Sequence, residues 1–122
     1  MITVDYKDKR PIYVQLVDNI STMALSGELK PFEQLPSVRQ LAVSMGINPN
    51  TIARAYGELE RKGVIYSVAG KGSFISNDLS VFAEEKVKKV EEKLRVGINE
   101  AKNSGVSKER LIVIVGEEYD RD

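Results

Sequence analysis

Residues 48–63 constrain the fold more than any other part of the chain, because both ends and the buried face of this segment are marked in the sequence. Asn48 is a favoured N-cap residue, and Pro49 suits the first helical position, where no hydrogen-bond donor is needed. Gly63 ends the pattern. Between them, apolar residues recur at the spacing of one helical face, at Ile52, Ala55, Tyr56 and Leu59. The segment therefore predicts a helix with one side against a core and with an outer face formed by Asn50, Thr51, Ala53, Arg54 and Gly57.

Two further helices are predicted before this one. Residues 11–26 carry apolar side chains at helical spacing, and Ser37 with Gln40 forms a capping-box signature ahead of a short helix that Gly46 ends. After Gly63, the runs "VIYSV" and "SFIS" flank "AGKG", which indicates a β-hairpin around a glycine-containing turn. Two helices joined by a short turn and followed by a hairpin are the layout of a winged helix-turn-helix.

The sequence changes character at residues 77–78, beyond which the chain is helical and highly charged. An apolar stripe runs along one side of the first tail helix, formed by Val87, Val90, Leu94, Ile98 and Ala101. Ser104 and Gly105 interrupt it, and Ser107 can cap a second helix. Residues 112–115 are β-branched and favour a strand by propensity, so helix and strand both remain open there. The expected fold is mostly α with a small β-hairpin wing: a winged helix-turn-helix domain at 1–77 and a two-helix C-terminal dimerisation region at 78–122.

Composition excludes several classes of function. The chain has no cysteine and no histidine, which removes thiolate nucleophiles, the commonest general base and the usual zinc ligands. The carboxylates are scattered over helix surfaces, so we expect no enzyme, no metal site and no cofactor. The net charge is zero, yet residues 37–75 hold five basic and two acidic residues, against nine basic and ten acidic in residues 79–122. A neutral total can thus conceal one positive surface.

Four charged or polar side chains of the predicted winged helix-turn-helix domain suit DNA. In a helix-turn-helix, the second helix of the motif is the recognition helix and lies in the major groove. Here it is the helix predicted within residues 48–63, so Asn50 and Arg54, one turn apart, can donate hydrogen bonds to base edges or phosphates. Arg39 on the preceding helix and Lys71 in the hairpin turn can each reach a phosphate. Each feature also has an ordinary interpretation, as an amphipathic helix, a solvated arginine and a simple turn.

With these elements in place, the sequence resembles the bacterial GntR family of winged-helix transcription regulators, and more closely its short-tailed YtrA-type subfamily. The similarity covers roughly residues 11–76, and the combination of "LPSVRQLA", "NPNTIARAYGELERKGVI" and "GKGSFI" carries it. The resemblance implies DNA contacts from Ser37 and Arg39, from the recognition helix through Asn48, Asn50, Thr51 and Arg54, and from the wing through Gly70, Lys71 and Gly72. Tyr56 matches the family's tyrosine and is expected to be structural.

One position departs from the family pattern. Where relatives have glycine in "P-G-x-x-LPS", this chain has Phe32, which raises a question about the turn at residues 31–33 and exposes an aromatic side chain. The tail is short, because typical relatives carry a large effector domain whereas 44 residues can form about two helices without a ligand cavity of the usual ~300 Å³. Such tails resemble dimerisation devices, so any small effector would bind at the dimer interface.

We therefore expect a cytoplasmic, homodimeric transcription regulator, a repressor, that binds double-stranded DNA at a palindromic operator and has no membrane segment. The sequence gives neither the operator nor the identity of an effector. The alternative is a winged-helix protein-interaction module without specific DNA binding.

Overall fold

The computed structural model describes residues 2–121. Within this range the elements are α1 (Ile12–Ser26), α2 (Val38–Met45), α3 (Pro49–Arg61), β1 (Ile65–Val68), β2 (Gly72–Ile75), α4 (Ser80–Asn103) and α5 (Lys108–Asp120). The order confirms the predicted mostly helical fold with a hairpin wing. One compact unit reaches to Ala83, and a second begins at Glu84. Leu79 and Phe82 still pack against the core of the first unit, which is why it extends beyond residue 77. The division into a DNA-binding and a dimerisation region stays a prediction.

Helices α2 and α3 begin at residues whose side chains cap them. Ser37 and Gln40 form the complete capping box at the start of α2. The Asn48 side chain accepts a hydrogen bond from the backbone N–H of Asn50, with Pro49 as the first residue of α3. At the end of α3, Gly63 takes a left-handed conformation with φ of 78°. The N–H groups of residues 63 and 64 then donate to the carbonyls of residues 60 and 59, which satisfies groups that a helix end leaves open.

The core of the first unit lies where α1, α2, α3 and the hairpin meet. Ile52, Ala55, Tyr56 and Leu59 are buried on α3 as the spacing predicts, and they pack with Leu16 and Ile20 of α1 and with Val64, Ile65 and Ile75 of the hairpin. Because burying each such aliphatic side chain contributes about 1.5–3 kcal/mol, this face fixes the position of α3. The opposite face of α3 stays in solvent.

The wing is a two-stranded antiparallel sheet in which Ile65 pairs with Ile75 and Val68 with Gly72. A segment that the sequence did not reveal extends this sheet, because Gln34 forms a β-bridge with Phe74. Backbone N–H groups of Leu35 and Ile75 donate to the carbonyls of Ser73 and Glu33, both at 2.9 Å. The loop before α2 is therefore tied to the wing along its length.

Phe32 lies at the start of this paired segment with φ of 66°, in the left-handed region that glycine enters without strain. Its N–H donates to the carbonyl of Ile75 at 2.8 Å, and its side chain is 60% exposed. The turn thus has a backbone conformation that favours glycine, and placing a phenylalanine in it costs conformational free energy. The turn at residues 31–33 therefore forms even though phenylalanine stands where the family pattern has glycine.

The second unit consists of most of α4 and of α5, which Ser104 and Gly105 separate. Ser107 caps α5 by accepting from the N–H of Arg110, as predicted. Residues 112–115 belong to α5, so the strand that their propensity favours does not form. Within the described chain, no helix combines the length and the apolar character that crossing a membrane would need.

Candidate DNA-binding surface

The predicted DNA-contacting residues lie on the surface of the first unit. All of them are exposed except Thr51, which is half-buried in the first turn of α3. Ser37 and Asn48 are the N-caps of α2 and α3, so their side-chain oxygens accept backbone hydrogen bonds. The Ser37 hydroxyl proton and the Asn48 amide N–H groups remain the donors that each side chain can offer to a phosphate.

Three of the predicted elements meet at one short segment, residues 34–37, which we call the connecting loop. At one end, the Gln34 side-chain nitrogen donates to the carbonyl oxygen of Lys71 at 2.7 Å and thereby holds the wing tip. In the middle, the Tyr56 hydroxyl donates to the carbonyl oxygen of Pro36 at 2.6 Å and fixes the loop to α3. At the other end, Ser37 begins α2. The connecting loop therefore sets the position of α2, α3 and the wing relative to one another.

Tyr56 is a structural residue in this arrangement, as its spacing predicts. Its side chain is only 6% exposed, and burial raises the pKa of its hydroxyl to about 12. The hydroxyl consequently stays protonated and available as a donor to Pro36 at any physiological pH. A group so buried cannot reach DNA.

The wing tip depends on two glycines in different ways. Gly70 has φ of 75° and Gly72 has φ of 117°, both in the region that side chains rarely adopt. A Cβ atom at Gly70 would meet open space, whereas one at Gly72 would lie 3.0 Å from the Gln34 side-chain nitrogen. Gly72 is thus needed for the close approach of Gln34, and it helps present the exposed Lys71 side chain.

Arg54 does not extend freely from α3. The carbon of its guanidinium lies 3.8 Å from the centre of the Tyr13 ring, and one of its nitrogens donates to the Tyr13 hydroxyl at 3.1 Å. Further along the helix, Glu58 pairs with Arg61 at 2.8 Å, and this hydrogen bond is the main reason why the pKa of Glu58 is lowered. Asn50, Ala53 and Gly57 complete the exposed face of α3.

Sequence reasoning missed three residues that organise this surface. Gln34 gave no signal, because an isolated glutamine in a loop has no pattern. Tyr13 was hidden as one apolar residue among several on α1. Gln15 could have been recognised, because a polar residue on the buried face of a predicted helix requires hydrogen-bond partners. It is 2% exposed, and its side chain bonds the backbone of Asp5 and Arg10, which fastens the N-terminal segment onto α1.

Comparisons with known proteins agree with this architecture. The family model for bacterial regulatory proteins of the gntR family matches residues 12–75. The chain is 40% identical to the HTH-type transcriptional repressor YtrA of Bacillus subtilis (strain 168) over 112 residues, which span 91% of this chain and 86% of that protein. A transcriptional regulator from Oenococcus oeni has a similar structure, with a TM-score of 0.79, 38% identity and coverage of 98% of this chain and 99% of that one.

A second similar structure is a complex with an operator. It is the AraR DNA-binding domain in complex with operator ORE1, with a TM-score of 0.53, 29% identity and coverage of 62% of this chain and 93% of that one. The relatives named here are regulators rather than enzymes. From the matched family model, the extent of the YtrA similarity and the shared winged-helix architecture, we conclude that the chain belongs to the GntR family of bacterial regulatory proteins.

Proposed function

We propose that this protein is a homodimeric transcription regulator, a cytoplasmic repressor that binds a palindromic operator. The observation that carries the proposal is the connecting loop, which joins α2, α3 and the wing tip through hydrogen bonds of 2.6 and 2.7 Å. A fixed arrangement of these three elements is what simultaneous contact with a major groove and its flanking phosphates requires. The operator complex of the AraR domain and the repressor name of the Bacillus relative support the same function.

A division of roles explains how a neutral protein would hold a polyanion. Arg39 and Lys71 are exposed on α2 and at the wing tip, and they would bind phosphates on either side of α3. Between them, Asn50 and Arg54 would contact base edges, together with the half-buried Thr51. Residues 37–75 carry a net charge of +3, and the excess of acidic over basic residues in the rest of the chain brings the total to zero.

The second unit supplies the argument for a dimer. Neither α4 nor α5 contains a buried residue in the described chain. The predicted stripe is exposed at Val87, Val90, Leu94 and Ile98, with solvent exposures between 42% and 56%, and only Ala101 is half-buried. Apolar surface of this extent marks an interaction site on a soluble protein, and a second copy of the same helices is its natural partner.

The apolar residues of α5 strengthen this argument. Five consecutive apolar residues, from Leu111 to Val115, turn through more than a full helical circle at 100° per residue. Residues 112–115 are 37–60% exposed. A helix that is apolar all round is normally enclosed on several sides, which one neighbouring helix cannot do. We therefore infer that α5 lies inside a bundle built from the tails of two chains.

The DNA part of the proposal is tested by the salt dependence of binding. Fluorescence anisotropy on a duplex from the region upstream of the protein's own operon should show affinity that falls steeply with salt. Arg39→Ala and Lys71→Ala should each reduce the slope of log K against log salt by about one per subunit, so by about two for a dimer. Arg110→Ala, which removes an exposed arginine from the tail, is the control and should leave the slope unchanged.

Dimer formation without salt-sensitive binding would reject DNA recognition and favour a protein-interaction module. The dimer itself is tested by sedimentation of Leu94→Arg, which we expect to be monomeric because it places a charge in the apolar stripe. Glu92→Gln on the opposite side of α4 changes the net charge by the same amount and should remain dimeric. A dimeric Leu94→Arg would show that the stripe is not the interface.

A further inference from the structure

The stacking of Arg54 on Tyr13 connects α1 to the candidate DNA-binding surface. We propose that Tyr13 is a positioning residue for DNA recognition, which holds the Arg54 guanidinium in place beside the outer face of α3. On this proposal the first helix, as well as α2, α3 and the wing, determines base preference. The inference rests on the proposed function.

The geometry fits a side chain that is held rather than one that rests against the surface by chance. The guanidinium carbon lies 3.8 Å from the ring centre, well inside the distance of about 6 Å at which a cation and an aromatic face attract each other. The hydrogen bond of 3.1 Å to the Tyr13 hydroxyl fixes the direction of the group as well as its distance. Two contacts to one partner restrict Arg54 more than either would alone.

The partner in this contact is packed against the core. Tyr13 lies in the first turn of α1 and packs against the hydrophobic core, so its ring is half-buried. Arg54 is exposed and has several rotatable bonds. The core therefore fixes the ring, and the ring in turn fixes the arginine.

The neighbouring acid forms its ion pair with another arginine, although the charge of Arg54 helps to lower the pKa of that acid. Glu58 lies one turn further along α3 and forms its ion pair with Arg61 at 2.8 Å. Stacking keeps the charge of Arg54 intact, and only one of its five N–H groups donates to Tyr13. The remaining donors can meet a base edge or a phosphate without first breaking a salt bridge.

Pre-organisation of this kind has a measurable effect on binding. Ordering a long side chain at an interface weakens association by about twofold to tenfold, and a partner that orders it beforehand removes that cost. Loss of the Tyr13 ring should therefore weaken binding of the preferred duplex by about twofold to tenfold. It should also relax the preference at the base pair that Arg54 contacts.

A double-mutant cycle on a duplex selected by the wild-type protein tests the inference. Tyr13→Leu should lower affinity and relax the same base pair as Arg54→Ala, whereas Tyr13→Phe keeps the ring and most of the affinity. In the Arg54→Ala background, Tyr13→Leu should cost nothing further. Tyr6→Leu removes an exposed tyrosine that precedes α1, and it is the matched control.

A second measurement needs no substitution at Tyr13. In the wild-type protein without DNA, the ring should shift the NMR signals of the Arg54 δ-methylene protons upfield relative to those of Arg39. Unshifted signals would overturn the inference even if Tyr13→Leu folded poorly.

The outcomes separate the inference from the proposed function. Failure of the wild type to select any DNA sequence would reject both. Selection of a sequence whose base preference changes with Arg54→Ala but not with Tyr13→Leu would reject the role of Tyr13 alone. The same rejection would follow if Arg54→Ala left base preference unchanged.

Discussion

Substitution of Gly72 by alanine tests whether the wing tip is built as the structure indicates. The residue has φ of 117°, and a Cβ atom there would lie 3.0 Å from the Gln34 side-chain nitrogen. That nitrogen donates to the carbonyl of Lys71 at 2.7 Å. The variant therefore meets two separate costs, one from the backbone conformation and one from displacement of Gln34.

The two costs can be estimated separately. Holding alanine in the left-handed region costs about 1–3 kcal/mol. Moving Gln34 weakens a hydrogen bond whose net contribution is about 0.5–1.5 kcal/mol. Gly70→Ala meets only the first cost, because its φ is 75° and its Cβ would meet open space. We expect Gly72→Ala to open the wing more easily than Gly70→Ala by about 1 kcal/mol or more, because the displaced hydrogen bond adds to a backbone cost that is at least as large at the φ of Gly72 as at that of Gly70.

Amide hydrogen exchange measures this opening locally. The N–H of Leu35, which donates to the carbonyl of Ser73, should lose protection in Gly72→Ala more than in Gly70→Ala. Adding Gln34→Ala to each glycine variant should recover part of the loss for Gly72→Ala and none for Gly70→Ala. Equal protection of Leu35 in the two glycine variants would refute the role assigned to Gln34.

Three other substitutions have defined outcomes in urea unfolding. Tyr56→Phe should lower the free energy of unfolding by about 1 kcal/mol, because the Pro36 carbonyl loses its donor. The pKa of Tyr56 is about 12 in the folded protein and about 10 in the unfolded chain. As the pH rises from about 10 to about 12, the free energy of unfolding should therefore fall in the wild type, because the unfolded chain loses the Tyr56 proton first, and this fall should be absent from Tyr56→Phe. Ser37→Ala should cost about 1 kcal/mol through the lost cap of α2. Gly57→Ala should gain about 0.5–1 kcal/mol, because its Cβ meets open space on α3, yet weaken DNA binding if that face enters a groove.

Local chemistry made much of this fold predictable. The capping box at Ser37, the cap at Asn48 and the buried spacing of α3 each depend on neighbours within one or two helical turns, so the sequence contains the necessary information. The hairpin follows for the same reason, from two short β-prone runs around a turn. The layout alone predicted DNA contacts for Arg39, Asn50, Arg54 and Lys71, and the resemblance to the GntR family added the other predicted contacts.

Contacts between residues distant in the chain were not predictable. Gln34 meets Lys71 and Arg54 meets Tyr13 only after the helices and wing have packed, and no periodic pattern precedes such a pairing. The conformation of Phe32 was also hidden, because phenylalanine rarely has a positive φ and only the comparison with a glycine suggested it. Residues 112–115 favour a strand by propensity, but they lie within α5, which Ser107 caps, and are helical.

We propose that α2, α3 and the wing form one DNA-binding surface and that two such surfaces act together in a dimer. Selection of bound fragments from a random duplex library tests this most directly. We expect two inverted half-sites whose centres are about 10 base pairs apart or a multiple of that, which places both recognition helices on one face of the duplex. Recovery of fragments without a shared sequence, or of a single half-site with no second copy, would contradict the account.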